Sequence, residues 1–403
     1  MEALLPPNTC ESRARGPVDF SVVAEEYGVD ENLVEAIAVS IRPLKRASPE
    51  SNTRIGPRIK KAPPSVRKRG RRVLILGAGA SATCGIAVSR DILRASMQQL
   101  ADRRAADAEK VHTLLSYLYP DFSEDLANYP NVEDFLNLVE MAKEFHTEKY
   151  ILSKRWSSSK LQDAMDTTLR AITEYIWGFM AADDRRRVLT DLARELVRPG
   201  DVVVSFNWDF VIDLILEHLK DAGPVYSFSS RRDSVVLLKP HGSIDWFDKE
   251  KVPRKGEIAR EMLHRARGLY FYPYFRLAQN PDLLKQLTPF IVPPLSIKKF
   301  DGFLKGVWRD VYRALASAQE IYIIGYSLPR EDQFAKLVIG RAVQRNNARR
   351  KRGRRKLLLT VINPDENVMR TFHKLGGDGT MRFYPTSLQD YVLWLKAQHE
   401  EES

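Results

Sequence analysis

Two side chains of this sequence could move protons or place a nucleophile where a strand would end: Asn207 and His241. A neutral carboxamide orients a water or a hydroxyl, and an imidazole, with an ordinary pKa near neutrality, takes up the proton released. Asn207 lies in Val-Val-Val-Ser-Phe-Asn-Trp-Asp at 202–209, where three β-branched residues run into polar ones. That pattern predicts a buried parallel strand with Asn207 and Asp209 on the loop after it, the place where open α/β sheets bind ligands. The apolar segment 210–219 predicts a helix with its positive end toward that loop. His241 ends a second apolar run, at 234–240. A lone histidine is more often structural, but adjacent parallel strands end on the same side, so this one can share a crevice with Asn207.

Stepping outward, the chain must supply a scaffold for these ends. Arg-Val-Leu-Ile-Leu-Gly-Ala-Gly-Ala-Ser-Ala at 72–82 is an apolar strand running into a glycine turn. Gly77 and Gly79 would let the backbone turn tightly and approach a pyrophosphate, with Ala78 and Ser81 beside it and Ala82 in the small third position. A hydride-transfer enzyme of this type would place an acidic strand end roughly 20 residues on, and the sequence has no such strand. Residues 92–196 instead carry helical apolar spacing, predicting a helical insertion of about a hundred residues after the first strand, over a cleft. Glu133 and Asp134 could line that cleft, although acidic residues at a helix start are more simply explained by its positive end.

Further along, 320–329 is a buried strand turning through Gly325 with Ser327 after it and a helix from Glu331; 356–364 is another, ending at Asn363. A strand at 381–384 and an amphipathic helix over 387–399 close the chain. The aromatic cluster at 269–275 and the short strand at 289–294 read first as core, and either could wall a nucleoside pocket. Alternating elements of this kind predict an α/β fold: a Rossmann-like, mostly parallel sheet flanked by helices.

Composition narrows the classes. Of 403 residues, 44% are hydrophobic and 29% charged, as in an ordinary globular chain. Only Cys10 and Cys84 are present, which excludes a four-cysteine zinc site and a disulfide framework. There is no apolar run of about 18 residues and no signal-peptide pattern, so a cytoplasmic location and no membrane association are expected. The net charge of +11 suggests an acidic partner, but much of the excess falls in 42–72 and 349–356. Both stretches read as solvated segments, so nucleic-acid binding is not favoured. Residues 1–42 predict two short helices, 43–70 a flexible basic linker and 71–403 the nucleotide-binding domain.

In order, Gly77-Ala-Gly-Ala-Ser81, Ser205-Phe-Asn-Trp-Asp209, Lys239-Pro-His-Gly242, Gly325-Tyr-Ser327 and Asn363-Pro-Asp365 resemble the motifs of SIR2-like NAD-binding proteins, over roughly residues 70–390. The resemblance implies that Gly77, Ala78, Gly79 and Ser81 hold the NAD pyrophosphate. It places Asn207, Asp209 and His241 at the nicotinamide ribose, and Gly325, Ser327 and Asn363 at the adenosine half. The four zinc cysteines of the protein-deacylating sirtuins are missing. Gly-Ile-Ala-Val-Ser-Arg at 85–90 stands where those enzymes usually carry Gly-Ile-Pro-Asp-Phe-Arg. The pattern is more similar to SIR2-like NAD-consuming effectors of bacterial anti-phage defence.

What this implies is hydrolysis of NAD to nicotinamide and ADP-ribose without a metal, with Asn207 and His241 catalytic. An enzyme of that kind would be held off until self-assembly or a sensor protein releases it. A non-catalytic NAD-sensing module and an NAD-dependent protein deacylase are the alternatives.

Overall fold

The computed structural model describes residues 71–123, 128–144, 156–180, 184–219, 226, 234–248, 263–266, 269–271, 288–292, 302–350, 356–376 and 380–401. The N-terminal helices and linker expected over 1–70, Cys10, residues 272–275 of the aromatic cluster, 293–294 and 351–355 of the basic run lie outside them.

Six parallel strands form the central sheet: β1 (Arg72–Leu76), β2 (Val202–Ser205), β3 (Val236–Leu238), β9 (Glu320–Ile324), β10 (Leu358–Ile362) and β11 (Thr380–Tyr384). They lie in the order β11-β10-β9-β1-β2-β3. The chain winds outward from β1 to β3, crosses to the other side of β1 at β9 and winds outward again. This is the doubly wound Rossmann order with its switch point between β1 and β9. Strands buried on both faces carry unbroken apolar runs, and Val73, Leu74, Ile75, Val203, Val204 and Leu237 are all at most 1% exposed.

The run at 234–246 is not one strand. β3 stops at Leu238, and β4 (Gly242–Ser243) pairs antiparallel with β8 (Phe290–Ile291). β5 (Trp246–Asp248) joins β6 (Leu263–Ala266) and β7 (Leu269–Phe271) in a small antiparallel sheet, β5-β7-β6. The break falls at Gly242, whose φ is +76° and whose added Cβ would collide with the Phe290 carbonyl.

Between β1 and β2 lie the short helix α1 (Ala78–Ala82) and then α2 (Ser89–Arg103), α3 (Ala105–Leu118), α4 (Val132–Glu144), α5 (Ser158–Met180) and α6 (Arg187–Leu196). Their apolar faces share one continuous core with the sheet, running from Leu93, Met97, Leu136 and Leu161 to Leu74 and Val203. Among the described residues five further helices follow: α7 (Val211–Leu219), α8 (Gly302–Ser317), α9 (Gln333–Arg350), α10 (Glu366–Gly376) and α11 (Leu388–Glu401). α11 returns to α6, with Lys396 Nζ 2.6 Å from Asp191 and His399 Nδ1 2.6 Å from Glu195. The start of the basic run is helical, since Arg349 and Arg350 end α9, where cations complement the negative helix end. No helix among the described residues is long and apolar enough to cross a membrane.

Candidate functional site

A cavity of about 390 Å³ opens between the carboxyl ends of the sheet strands and the helices that follow β1. That size falls within the range of roughly 300–1,000 Å³ usual for small-molecule sites. The sheet side contributes Ala78, Gly79 and Ser81 after β1, Asn207 and Asp209 after β2, His241 after β3, Gly325 and Ser327 after β9, and Asn363 after β10. Nine of the ten site residues expected from the sequence therefore line one cavity. Gly77 does not.

Several amides of the glycine turn are engaged inside the protein. The Gly77 N–H donates to the Ile324 carbonyl (3.0 Å), Gly79 to the Gly325 carbonyl (2.9 Å) and Ala80 to the Gly77 carbonyl (2.9 Å). Those amides are spent inside the protein, so they are not the donors for a pyrophosphate. The glycines are required by packing. A Cβ on Gly77 would sit 2.5 Å from Tyr326 Cα, and one on Gly79 2.9 Å from Gly325 Cα. Gly325, at φ +60°, meets the Ala80 amide in the same way. The two turns flanking the switch point interlock backbone against backbone.

Above this floor Asn207, Ser81 and Asp209 form a directed chain. Asn207 Nδ2 donates to the Gly77 carbonyl (2.9 Å) and to Ser81 Oγ (2.7 Å), and Ser81 Oγ donates to Asp209 Oδ2 (2.6 Å). With its amide donors engaged, Asn207 has Oδ1 to offer a ligand as an acceptor. Asp209 Oδ1 accepts the Val211 N–H (3.0 Å), capping α7. The positive end of α7 faces the loop as expected, and the Asp209 carboxyl answers it there. Burial pushes the Asp209 carboxyl above its ordinary range, opposed by Lys239, the Ser81 hydroxyl and the Val211 amide. Asp209 is a positioning group with both oxygens in use.

Beneath lies a fully buried lysine. Lys239 Nζ contacts the Asp209 carbonyl (2.7 Å), Asp213 Oδ2 (3.0 Å) and Ser243 Oγ (2.6 Å), and Tyr226 donates to Asp213 Oδ1 (2.8 Å). It ties the end of β3 to the Asn207 loop.

His241 is 4% exposed, and its Nε2 lies 3.1 Å from Asp332 Oδ2, an oxygen that also receives the Tyr326 hydroxyl at 3.0 Å. Phe206 meets the imidazole edge-on at 5.1 Å and stacks on Tyr326 at 4.4 Å, while Trp308 stands 6.0 Å from the imidazole. These contacts fix the ring plane. Sequence reading missed Asp332. Its signal is an acidic residue just before an apolar helix, and Asp332 Oδ1 does cap α9, accepting the Ala335 N–H at 3.2 Å. Leu328, beside Ser327, has φ +56°, a left-handed backbone uncommon for a non-glycine residue and often found near functional sites.

The helical side contributes Asn131, Glu133, Ile176, Ile86 to Arg90 and Ile92, with Arg90 exposed at the rim. Glu133 is 7% exposed. The Asn131 side chain caps its amide at 2.9 Å, so the helix-start explanation for Glu133 holds in part. Yet the carboxyl is pushed up to about 8, first by burial and then by Asp332 and Glu331, with Ser89 opposing. Raising a carboxyl from 4.5 to about 8 takes roughly 5 kcal/mol at about 1.4 kcal/mol per pH unit. A helix start returns only about 0.3–2 kcal/mol. Burial outweighs the helix start, so the Glu133 carboxyl stays well above the ordinary carboxylate range. Among the described residues its Oε2 is buried without a hydrogen-bond partner.

Strand order, parallel register and a cavity at the carboxyl ends of the strands define an α/β protein of the Rossmann-like class. No family model and no curated protein matches the chain. Similar solved structures include a serine-to-alanine and a histidine-to-asparagine mutant of a Sir2 homologue, each as an ADP-ribose complex, with TM-scores of 0.36 and 0.35. Each is 12% identical and the match covers 83% of this chain and 93% of the other. The fold assignment rests on the strand order and not on these matches.

Proposed function

We propose that the chain is a SIR2-like NAD hydrolase that releases nicotinamide and ADP-ribose. The observation that carries this reading is the meeting of Asn207 and the His241–Asp332 pair in one cavity at the carboxyl ends of β2, β3 and β9. The nicotinamide of NAD is a cationic pyridinium, so cleaving its bond to C1′ releases a neutral ring and leaves positive charge on the ribose. Such a reaction needs little acid catalysis. It needs a fixed geometry, a placed water and a proton acceptor. Asn207 Oδ1 accepts a hydrogen bond from the water or from a ribose hydroxyl. His241 takes the proton that water loses, and the Asp332 carboxylate stabilises the imidazolium so formed. Ser81 and Asp209 hold Asn207 in place, while Ala78, Gly79, Ser327 and Asn363 line the rest of the nucleotide's path.

The same reading includes a gate. Free NAD consumption would be harmful to a cell, so activity depends on self-assembly or on a sensor protein, with residues 1–42 as the contact and anti-phage defence as the setting. Nicotinamide release from NAD by the purified protein, with and without an acetylated peptide, tests the reaction. Release without peptide, lost in Asn207→Ala and His241→Ala, is expected. Release only with peptide means a deacylase. NAD binding without release, under activating partners as well, means a sensor, and release that survives both substitutions removes the site assignment.

A further inference from the structure

Glu133 has no part in that mechanism, yet it reaches the cavity from the opposite wall. Its carboxyl stands at the start of α4, and α2 faces it with Ser89 and with Arg90 at the rim. The loop before α9 presents Glu331 and Asp332, the latter bonded to Tyr326 and close to His241; Asp134 is its neighbour on α4. Three further carboxylates thus act on a carboxyl whose Oε2 is buried in the cavity wall without a hydrogen-bond partner among the described residues. A buried oxygen of that kind calls for positive charge or for a proton.

We propose that Glu133 selects the charge of the ligand: a cationic ring entering the cavity displaces the proton from this carboxyl and pairs with the carboxylate left behind. The inference rests on the NAD reading and deepens it, because the oxidised nicotinamide ring is cationic and the dihydronicotinamide ring of NADH is neutral. The proton leaves to solvent as the cation arrives, so net charge in the cavity is unchanged. A neutral ring provides no such exchange and leaves the carboxyl protonated. Binding of the oxidised form is then coupled to proton release, and binding of the reduced form is not.

The test is calorimetric titration of NAD and NADH into the full chain carrying Asn207→Ala to suppress turnover, at pH 7 in two buffers of different ionisation enthalpy. Close to one proton should be released per NAD bound and none per NADH, with NAD preferred by about tenfold or more, ~1.4 kcal/mol. Adding Glu133→Gln keeps a neutral side chain of the same shape, so the fold should survive. The variant should release no proton and should prefer NAD by less than about threefold. Proton release and preference that persist in Glu133→Gln overturn the selection and leave the NAD reading standing. Failure of both nucleotides to bind, with no nicotinamide released by the unsubstituted chain, overturns both.

Discussion

Replacing Lys239 by methionine asks how much of the site's order comes from the charge beneath it. The ammonium is fully buried and holds three acceptors: the Asp209 carbonyl, Asp213 Oδ2 and Ser243 Oγ. Two of the groups left behind keep other partners. Ser243 Oγ remains 3.2 Å from the Trp208 carbonyl, and Asp213 Oδ1 retains the Tyr226 hydroxyl at 2.8 Å. The dominant loss is the buried ion pair, and breaking such a pair from one side costs about 3–5 kcal/mol, against a usual total of about 5–15 kcal/mol. Asp245 adds a pH dependence. Burial and Asp213 push its carboxyl up, to about 6, while Lys239 holds it down. Without the lysine it rises further. A carboxyl raised in the folded state contributes stability that is present below its unfolded pKa and lost as pH climbs through the folded one. Lys239→Met should therefore lose more stability at pH 8 than at pH 5 in urea unfolding followed by circular dichroism. Adding Asp213→Asn removes the stranded carboxylate and should restore about 1 kcal/mol or more. A loss below about 1 kcal/mol, the scale of an exposed pair, or an equal loss at both pH values, would refute this account.

Two shorter tests address the walls of the site. Gly325→Ala forces a Cβ into the Ala80 amide at a left-handed φ and should lower stability by more than about 2 kcal/mol; unchanged thermal unfolding would mean the two turns do not interlock. Asp332→Asn keeps an α9 cap and should cost under about 1 kcal/mol, while nicotinamide release falls by about 10²–10⁴. An unaltered rate would remove Asp332 as the partner of His241.

The strand ends could be read from the sequence because strands buried on both faces must be continuous apolar runs, and the polar residues that stop them, Asn207, His241 and Asn363, stand out against that background. The partner of His241 could not be read. Asp332 lies 91 positions later, and only the crossing from β3 to the far side of β1 brings it near. Lys239 opens the Lys-Pro-His-Gly motif with no role legible there, because local sequence does not reveal that a lysine is buried. The sequence offers Glu133 as a cavity residue or a helix-start residue, and it is both: Asn131 caps its amide and the residue lines the cavity. The glycines are legible by position, but the sequence does not show that they also yield room to the neighbouring turn.

The interlocked turns also bear on mechanics. Where Gly77 and Gly79 meet Gly325 and Tyr326, backbone stands against backbone and a hydrogen bond from the Gly79 amide to the Gly325 carbonyl crosses the contact. Close-packed backbone of this kind has no slack, so the two halves of the sheet cannot slide past each other at the switch point. The floor of the cavity behaves as a rigid anvil. Compliance, if the site changes shape around a nucleotide, falls to the opposite wall, where the starts of α2 and α4 carry Arg90 and Glu133.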